Sequence, residues 1–105
     1  MTYEVVFTEQ ARTDFHHLYG YLLNRAQTVE DLSLAEHALT AIESAVDLHL
    51  SRTPFIYRKA FGGNGLRREL IIPFGATGYV ALYEIAQPGR VVVLAVRHQL
   101  EDDYH

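Results

Sequence analysis

The chain is 105 residues long, which suits a single domain over residues 1–105, and its 49% hydrophobic and 21% charged content is too apolar for a disordered segment. It contains no cysteine, which excludes disulfide staples and thiolate metal sites. The net charge of -4 argues against a general nucleic-acid binder but conceals an asymmetry: residues 1–50 carry eight acids and two arginines, and residues 51–100 carry seven bases and two acids, so a cationic surface is expected from the later half.

The start of the chain has no basic region leading into an apolar run, and no window reaches the ~18 apolar residues of a membrane span. A cytoplasmic protein without membrane contact is the expectation. Residues 3–7, Tyr-Glu-Val-Val-Phe, are β-branched and aromatic and read as a strand. Thr8 is a natural N-cap, after which Ala11, Phe15, Leu18 and Leu22 recur at alternating spacings of four and three. That spacing puts them on one face of a helix over about 9–25. Gly20 weakens this helix by roughly 1 kcal/mol relative to alanine without ending it.

Thr28, followed by Glu30 and Asp31, supplies a second cap and acids for the positive helix end. Leu32, Ala35, Leu39, Ile42 and Val46 form the next apolar stripe, and Pro54 closes the segment. The short connector makes the two helices an antiparallel hairpin. Residues 51–65 hold no period, and Gly62-Gly63-Asn64-Gly65 predicts an exposed loop; without a following Lys-Ser/Thr pair it is not a phosphate cradle.

Three strands are then expected, over 66–74, 79–85 and 90–97. Gly75-Ala76-Thr77-Gly78 and Gln87-Pro88-Gly89 make the turns of an antiparallel meander, with glycine accepting positive φ after the proline. Alternation puts Leu66, Arg68, Leu70, Ile72 and Phe74 on one face of the first of these strands, and Arg67, Glu69 and Ile71 on the other. The predicted fold class is α+β: an N-terminal strand, a two-helix hairpin and a three-stranded meander, with the helices on one face of the sheet and the other face wet.

Several segments in this order resemble a known family. They are Thr8-Glu9-Gln10-Ala11 leading into Asp14-Phe15, Gly65-Leu66-Arg67-Arg68-Glu69-Leu70, Gly78-Tyr79-Val80-Ala81-Leu82-Tyr83, and the closing run from Val93 through Arg97-His98-Gln99 to Tyr104. Nearly the whole chain resembles the RelE/ParE superfamily, the toxins of bacterial type II toxin-antitoxin systems, with the ParE type nearest. The resemblance implies a toxin neutralised by a cognate antitoxin in a hetero-oligomer. ParE-type members poison DNA gyrase and RelE-type members cleave mRNA on the ribosome, so it leaves both mechanisms open, along with an inactive relative that only binds antitoxin.

RNA cleavage through the ribose 2′-OH needs a base, cations for the phosphorane charge and an acid for the leaving oxygen. Arg67, Arg68 and Arg97 suit the middle role if their strands converge, and His98 or Tyr104 suits proton transfer. With a single lysine, Lys59, and a C-terminal run of three acids, the chain is poorly matched to phosphate-rich RNA. The leading expectation is therefore a noncatalytic gyrase poison whose target-binding residues are Arg58, Lys59, Arg67, Arg68 and Arg97. The competing structural role for these arginines is pairing with Glu69, Glu84 and the terminal acids. His98 has an equally simple role at a strand end. Tyr79 and Tyr83, on one strand face, read as packing residues, and their Arg-rich neighbours leave stacking platforms for bases as the alternative. His16 and His17 are adjacent on a helix and diverge, His37 and His49 fare no better, and neither a metal nor a cofactor is expected.

Overall fold

The computed structural model describes residues 2–60, 66–74 and 77–99. Strand β1 (Glu4–Phe7) leads into helices α1 (Glu9–Arg25) and α2 (Val29–Arg52), followed by strands β2 (Arg58–Lys59), β3 (Arg67–Phe74), β4 (Thr77–Ala86) and β5 (Arg90–His98). The fold class is α+β, as the pattern predicts. Both expected caps form: the Thr8 side chain accepts from Ala11 N–H and the Thr28 side chain from Asp31 N–H, each at 3.1 Å. Each satisfies one of the orphan donors of a first helical turn.

The five strands make one sheet in the order β1-β5-β4-β3-β2. The meander β3-β4-β5 is antiparallel, whereas β1 pairs with β5 in parallel, Glu4 opposite Arg90 through Phe7 opposite Val93. Two features of the expected loop over 51–65 are corrected. Helix α2 runs on to Arg52 because its last turn buries Leu50, and Arg58 and Lys59 pair with Glu69 and Arg68 as a short edge strand. The Gly62-Gly63-Asn64-Gly65 run lies outside the described residues. In the second turn the Gln87–Pro88 peptide is cis, and Gly89 has the expected positive φ of 70°.

The core lies between the helix hairpin and one face of the sheet. Ala11 is buried, and Phe15, Leu18 and Leu22 pack against the core, which is the stripe expected on α1. On α2 the buried set is Ala35, Ala38, Ile42, Val46 and Leu50. Leu32, placed on that stripe by its spacing, is instead exposed. From the strands, Leu70, Ile72, Tyr79, Ala81, Tyr83, Val91, Val93 and Val96 complete this layer. The Tyr83 hydroxyl donates to the Pro54 carbonyl, so the burial of that ring brings no unsatisfied polar group with it.

One irregularity decides which side chains face which way. Between Leu82 and Tyr83 of β4 the partners on β5 jump from Ala95 to Val93, leaving Leu94 as the extra residue of a β-bulge. Val91 and Val93 therefore face the helices before the bulge, and Val96 and His98 do so after it, since a bulge shifts the two-residue alternation by one. Helix α1 clamps this point. Thr8 Oγ1 donates to the Leu94 carbonyl at 3.1 Å, and the buried Asp14 carboxylate accepts from Val96 N–H at 2.8 Å while Gln10 holds its other oxygen at 2.9 Å.

Candidate target-binding face

The arginines expected to act together divide between the two sides of the sheet. Arg67 pairs with Glu84 of β4, and Val80 pairs with both Ile71 of β3 and Arg97 of β5. By strand alternation Arg67, Glu69, Ile71, Val80, Leu82, Glu84 and Arg97 share the face away from the helices, and Arg58, opposite Glu69, joins them. Arg68 lies opposite Tyr83 and Lys59 opposite Arg68, which puts both on the helix side.

Within the face away from the helices, Glu69 is a shared counter-ion. Its Oε1 accepts from Arg58 Nε at 2.8 Å, and its Oε2 is 3.9 Å from Arg97 Nη2. Arg67 Nε meets Glu84 at 3.4 Å. The pairing expected between these arginines and Glu69 and Glu84 is therefore present. The terminal acids lie outside the described residues. Arg58 and Arg67 are about half exposed, so their pairs contribute little, roughly 0.2–1 kcal/mol each. The Arg97 side chain is only 12% exposed, and its Nη1 also donates to the carbonyls of His98 and Gln99 at 3.3 and 3.4 Å.

This face is drier than the wet surface that alternation predicts. Val80 and Ala95 are 1% and 5% exposed. Val80 is flanked in the ladder by Ile71 and Arg97, and an arginine stem covers apolar neighbours while its head stays polar. Four guanidiniums, Arg58, Arg67, Arg90 and Arg97, share this face with three carboxylates, Glu4, Glu69 and Glu84, so among the described residues the face carries a small positive excess.

His98 faces the other way. Its ring stands edge-on to Tyr79 at 5.5 Å, on the helix side of β5. Arg97 and His98 are thus neighbours in sequence on opposite sides of the sheet. Arg68 is half-buried, and its Nη1 donates to the Tyr57 carbonyl at 2.7 Å. Burial raises the pKa of both Tyr79 and Tyr83, with the Arg68 guanidinium offsetting part of the effect at Tyr83. Both tyrosines are core residues, at 5% and 0% exposure, as their shared strand face suggests. Tyr104 lies outside the described residues. No group of three or more metal-ligating side chains occurs among the described residues, and none of their helices is long and apolar enough to cross a membrane.

Sequence comparison identifies the fold's relatives. Residues 5–103 match the model of the ParE toxin of the type II toxin-antitoxin system parDE. The chain belongs to this toxin family. Toxin RelE3 of Caulobacter vibrioides is 36% identical over 95 residues, covering 88% of this chain and 89% of the relative. Among solved structures, the chromosomal ParDE toxin-antitoxin system from P. aeruginosa superposes with a TM-score of 0.70 at 13% identity, over 92% of this chain and 96% of that one. A mutant of E. coli toxin RelE in the free state gives 0.57 at 16% identity, over 91% and 82%. The chain is accordingly a type II toxin of the RelE/ParE superfamily, a class of protein that pairs with an antitoxin.

One residue central to the geometry has no role in the sequence reading. Asp14 is buried and holds the strand that carries Arg97. A signal was available, since position 14 is three residues after Ala11 and in phase with the apolar stripe. An acid on a buried helix face needs a partner.

Proposed function

We propose that this toxin inhibits growth by binding DNA gyrase, without breaking a covalent bond itself, and that its cognate antitoxin neutralises it in a cytoplasmic hetero-oligomer. The observation that carries this reading is the separation of Arg97 from His98. The histidine expected to move a proton sits on the helix side against Tyr79, while Arg58, Arg67 and Arg97 face away from the helices. Arg97 and His98 do not converge on one reacting atom, as general acid-base cleavage by that pair requires. A largely neutralised face with apolar Ile71 and Leu82 between its arginines suits a protein surface better than a phosphate backbone. In this reading Arg58, Arg67 and Arg97 contact the target directly, and Lys59 and Arg68 border the contact from the β2 edge.

The second reading, ribosome-dependent mRNA cleavage, is favoured by the relative that bears the name toxin RelE3. It would draw on Arg67, Arg68, Arg97, His98 and Tyr104. Purified toxin added to gyrase and relaxed plasmid is expected to block supercoiling or accumulate cleaved DNA, and to leave messages intact on translating ribosomes. Cut messages with undisturbed supercoiling would replace the first reading with the second.

A further inference from the structure

From Ser51 to Arg68 the sequence contains Arg52, Arg58, Lys59, Arg67 and Arg68 and not one acid. The described part of this stretch runs from the last turn of α2 through β2 into β3, and it also holds exposed apolar side chains: Phe55 at 53%, Ile56 at 62% and Leu66 at 48%. Arg58 and Arg67 have partners in Glu69 and Glu84. Arg52 and Lys59 have no ion pair among the described residues.

Among the described residues the backbone there is open as well. Strand β2 is the last in the sheet order. Ala60 N–H donates to the Arg67 carbonyl at 2.9 Å, so Ala60 with Arg67 and Arg58 with Glu69 are the hydrogen-bonded pairs of this ladder. The intervening pair, Lys59 with Arg68, is then the non-bonded kind, which turns the N–H and C=O of Lys59 outward, away from the sheet. An unpaired edge of this type takes an added strand, and alternating pockets and charges select which one.

We propose that the β2 end binds an extended, acidic segment of the cognate antitoxin, which adds a strand beside Lys59, places carboxylates near Arg52 and Lys59, and covers Phe55 and Ile56. The inference rests on the toxin's membership of an antitoxin-paired family and is independent of whether gyrase is the target. Charge complementarity selects the occupant: a run of five cations without an acid attracts an acidic chain, and the exposed apolar groups favour polypeptide over nucleic acid. The groove between the helices offers no such selection, because Arg12 lines it together with Glu43 and Asp47.

The test measures affinity of the purified cognate antitoxin for the full toxin at several salt concentrations. Arg52→Glu combined with Lys59→Glu is expected to weaken binding by about tenfold or more and to flatten its salt dependence. Lys59→Pro, which removes only an outward N–H of an edge strand, is expected to weaken binding several-fold beyond Lys59→Gln. Arg12→Glu in the helix groove is expected to stay within about twofold. On the wild-type toxin, which no folding defect affects, the Lys59 amide is expected to become protected from hydrogen exchange when antitoxin binds. Unchanged affinity in all β2-end variants, an unprotected Lys59 amide, or loss confined to Arg12→Glu would overturn the proposal. So would a short single-stranded RNA binding this end with the same substitutions abolishing it and antitoxin affinity intact. A failure of gyrase inhibition leaves all of these readouts unaffected.

Discussion

Asp14 and Val96, 82 residues apart in sequence, are joined by a carboxylate-to-amide hydrogen bond of 2.8 Å in the interior of the protein. Strand β1 ends at Phe7, so the outer edge of β5 loses its strand partner just where the bulge begins. Thr8 and Asp14 replace that partner with side-chain oxygens, satisfying Leu94 C=O and Val96 N–H in turn. The first turns of α1 thus fix the phase of β5 and with it the side of the sheet on which Arg97 emerges.

Asp14→Ala should cost about 1–3 kcal/mol in urea unfolding, because it leaves the Val96 amide buried and unpaired. Asp14→Asn retains an acceptor and should cost less. Equal losses for the two variants, or a loss below about 0.5 kcal/mol for alanine, would show that the bond does not hold the bulge.

Thr8 carries both a helix cap and a bond to Leu94. Thr8→Val keeps the shape and removes both, so the expected loss is about 1–2 kcal/mol. Thr8→Ser should recover most of it. A serine variant as unstable as valine would point to the lost methyl instead of the hydroxyl.

Gly78 has no room for a side chain. A Cβ there would stand 2.5 Å from the Ile72 carbonyl oxygen and 2.9 Å from Gln99 Oε1. Backbone on the partner strand cannot yield cheaply, so Gly78→Ala should destabilise by roughly 1–3 kcal/mol. Gly20→Ala meets nothing within 4 Å and should stabilise α1 by up to about 1 kcal/mol. Thermal unfolding of the two variants should move in opposite directions.

Alkaline pH should unfold the protein through its tyrosines. Tyr83 and Tyr79 have pKa values raised by burial above the usual 10.0. The unfolded chain therefore releases these protons first, and their contribution to stability is complete below about pH 10 and falls as pH rises beyond it. Tyr83→Phe should lower stability near neutrality by about 1 kcal/mol, through the unpaired Pro54 carbonyl, and should flatten the alkaline decline. A decline as steep in the variant as in the parent would assign it to other groups.

On the proposed gyrase reading, Arg67→Ala should reduce supercoiling inhibition by about tenfold or more, since it removes a half-exposed guanidinium that a partner can cover. His98→Ala should leave inhibition nearly unchanged. Unfolding curves of both variants separate lost contact from lost fold. Abolished inhibition in a stable His98→Ala protein would return the histidine to the functional centre.

Periodicity and punctuation alone determined the type of every described element except β2, both N-caps, the α1 stripe, the meander and the face assignment of β3. These are local properties: a helix or strand writes its buried side into every second, third or fourth residue, and a cap or turn is chemistry within a few positions. The resemblance carried by Thr8-Glu9-Gln10-Ala11 and Arg97-His98-Gln99 reached the family as well. What only the tertiary structure decided depends on contacts between distant segments. The parallel β1-β5 pair, the two-residue edge strand β2, the bulge at Leu94 that sends Arg97 and His98 to opposite faces, and the use of one carboxylate, Glu69, by guanidiniums from β2 and β5 are all of this kind. A one-residue shift in pairing reverses every subsequent side chain, and nothing in the composition of β5 reveals it, because the acceptor that holds the shift in place is Asp14 in α1.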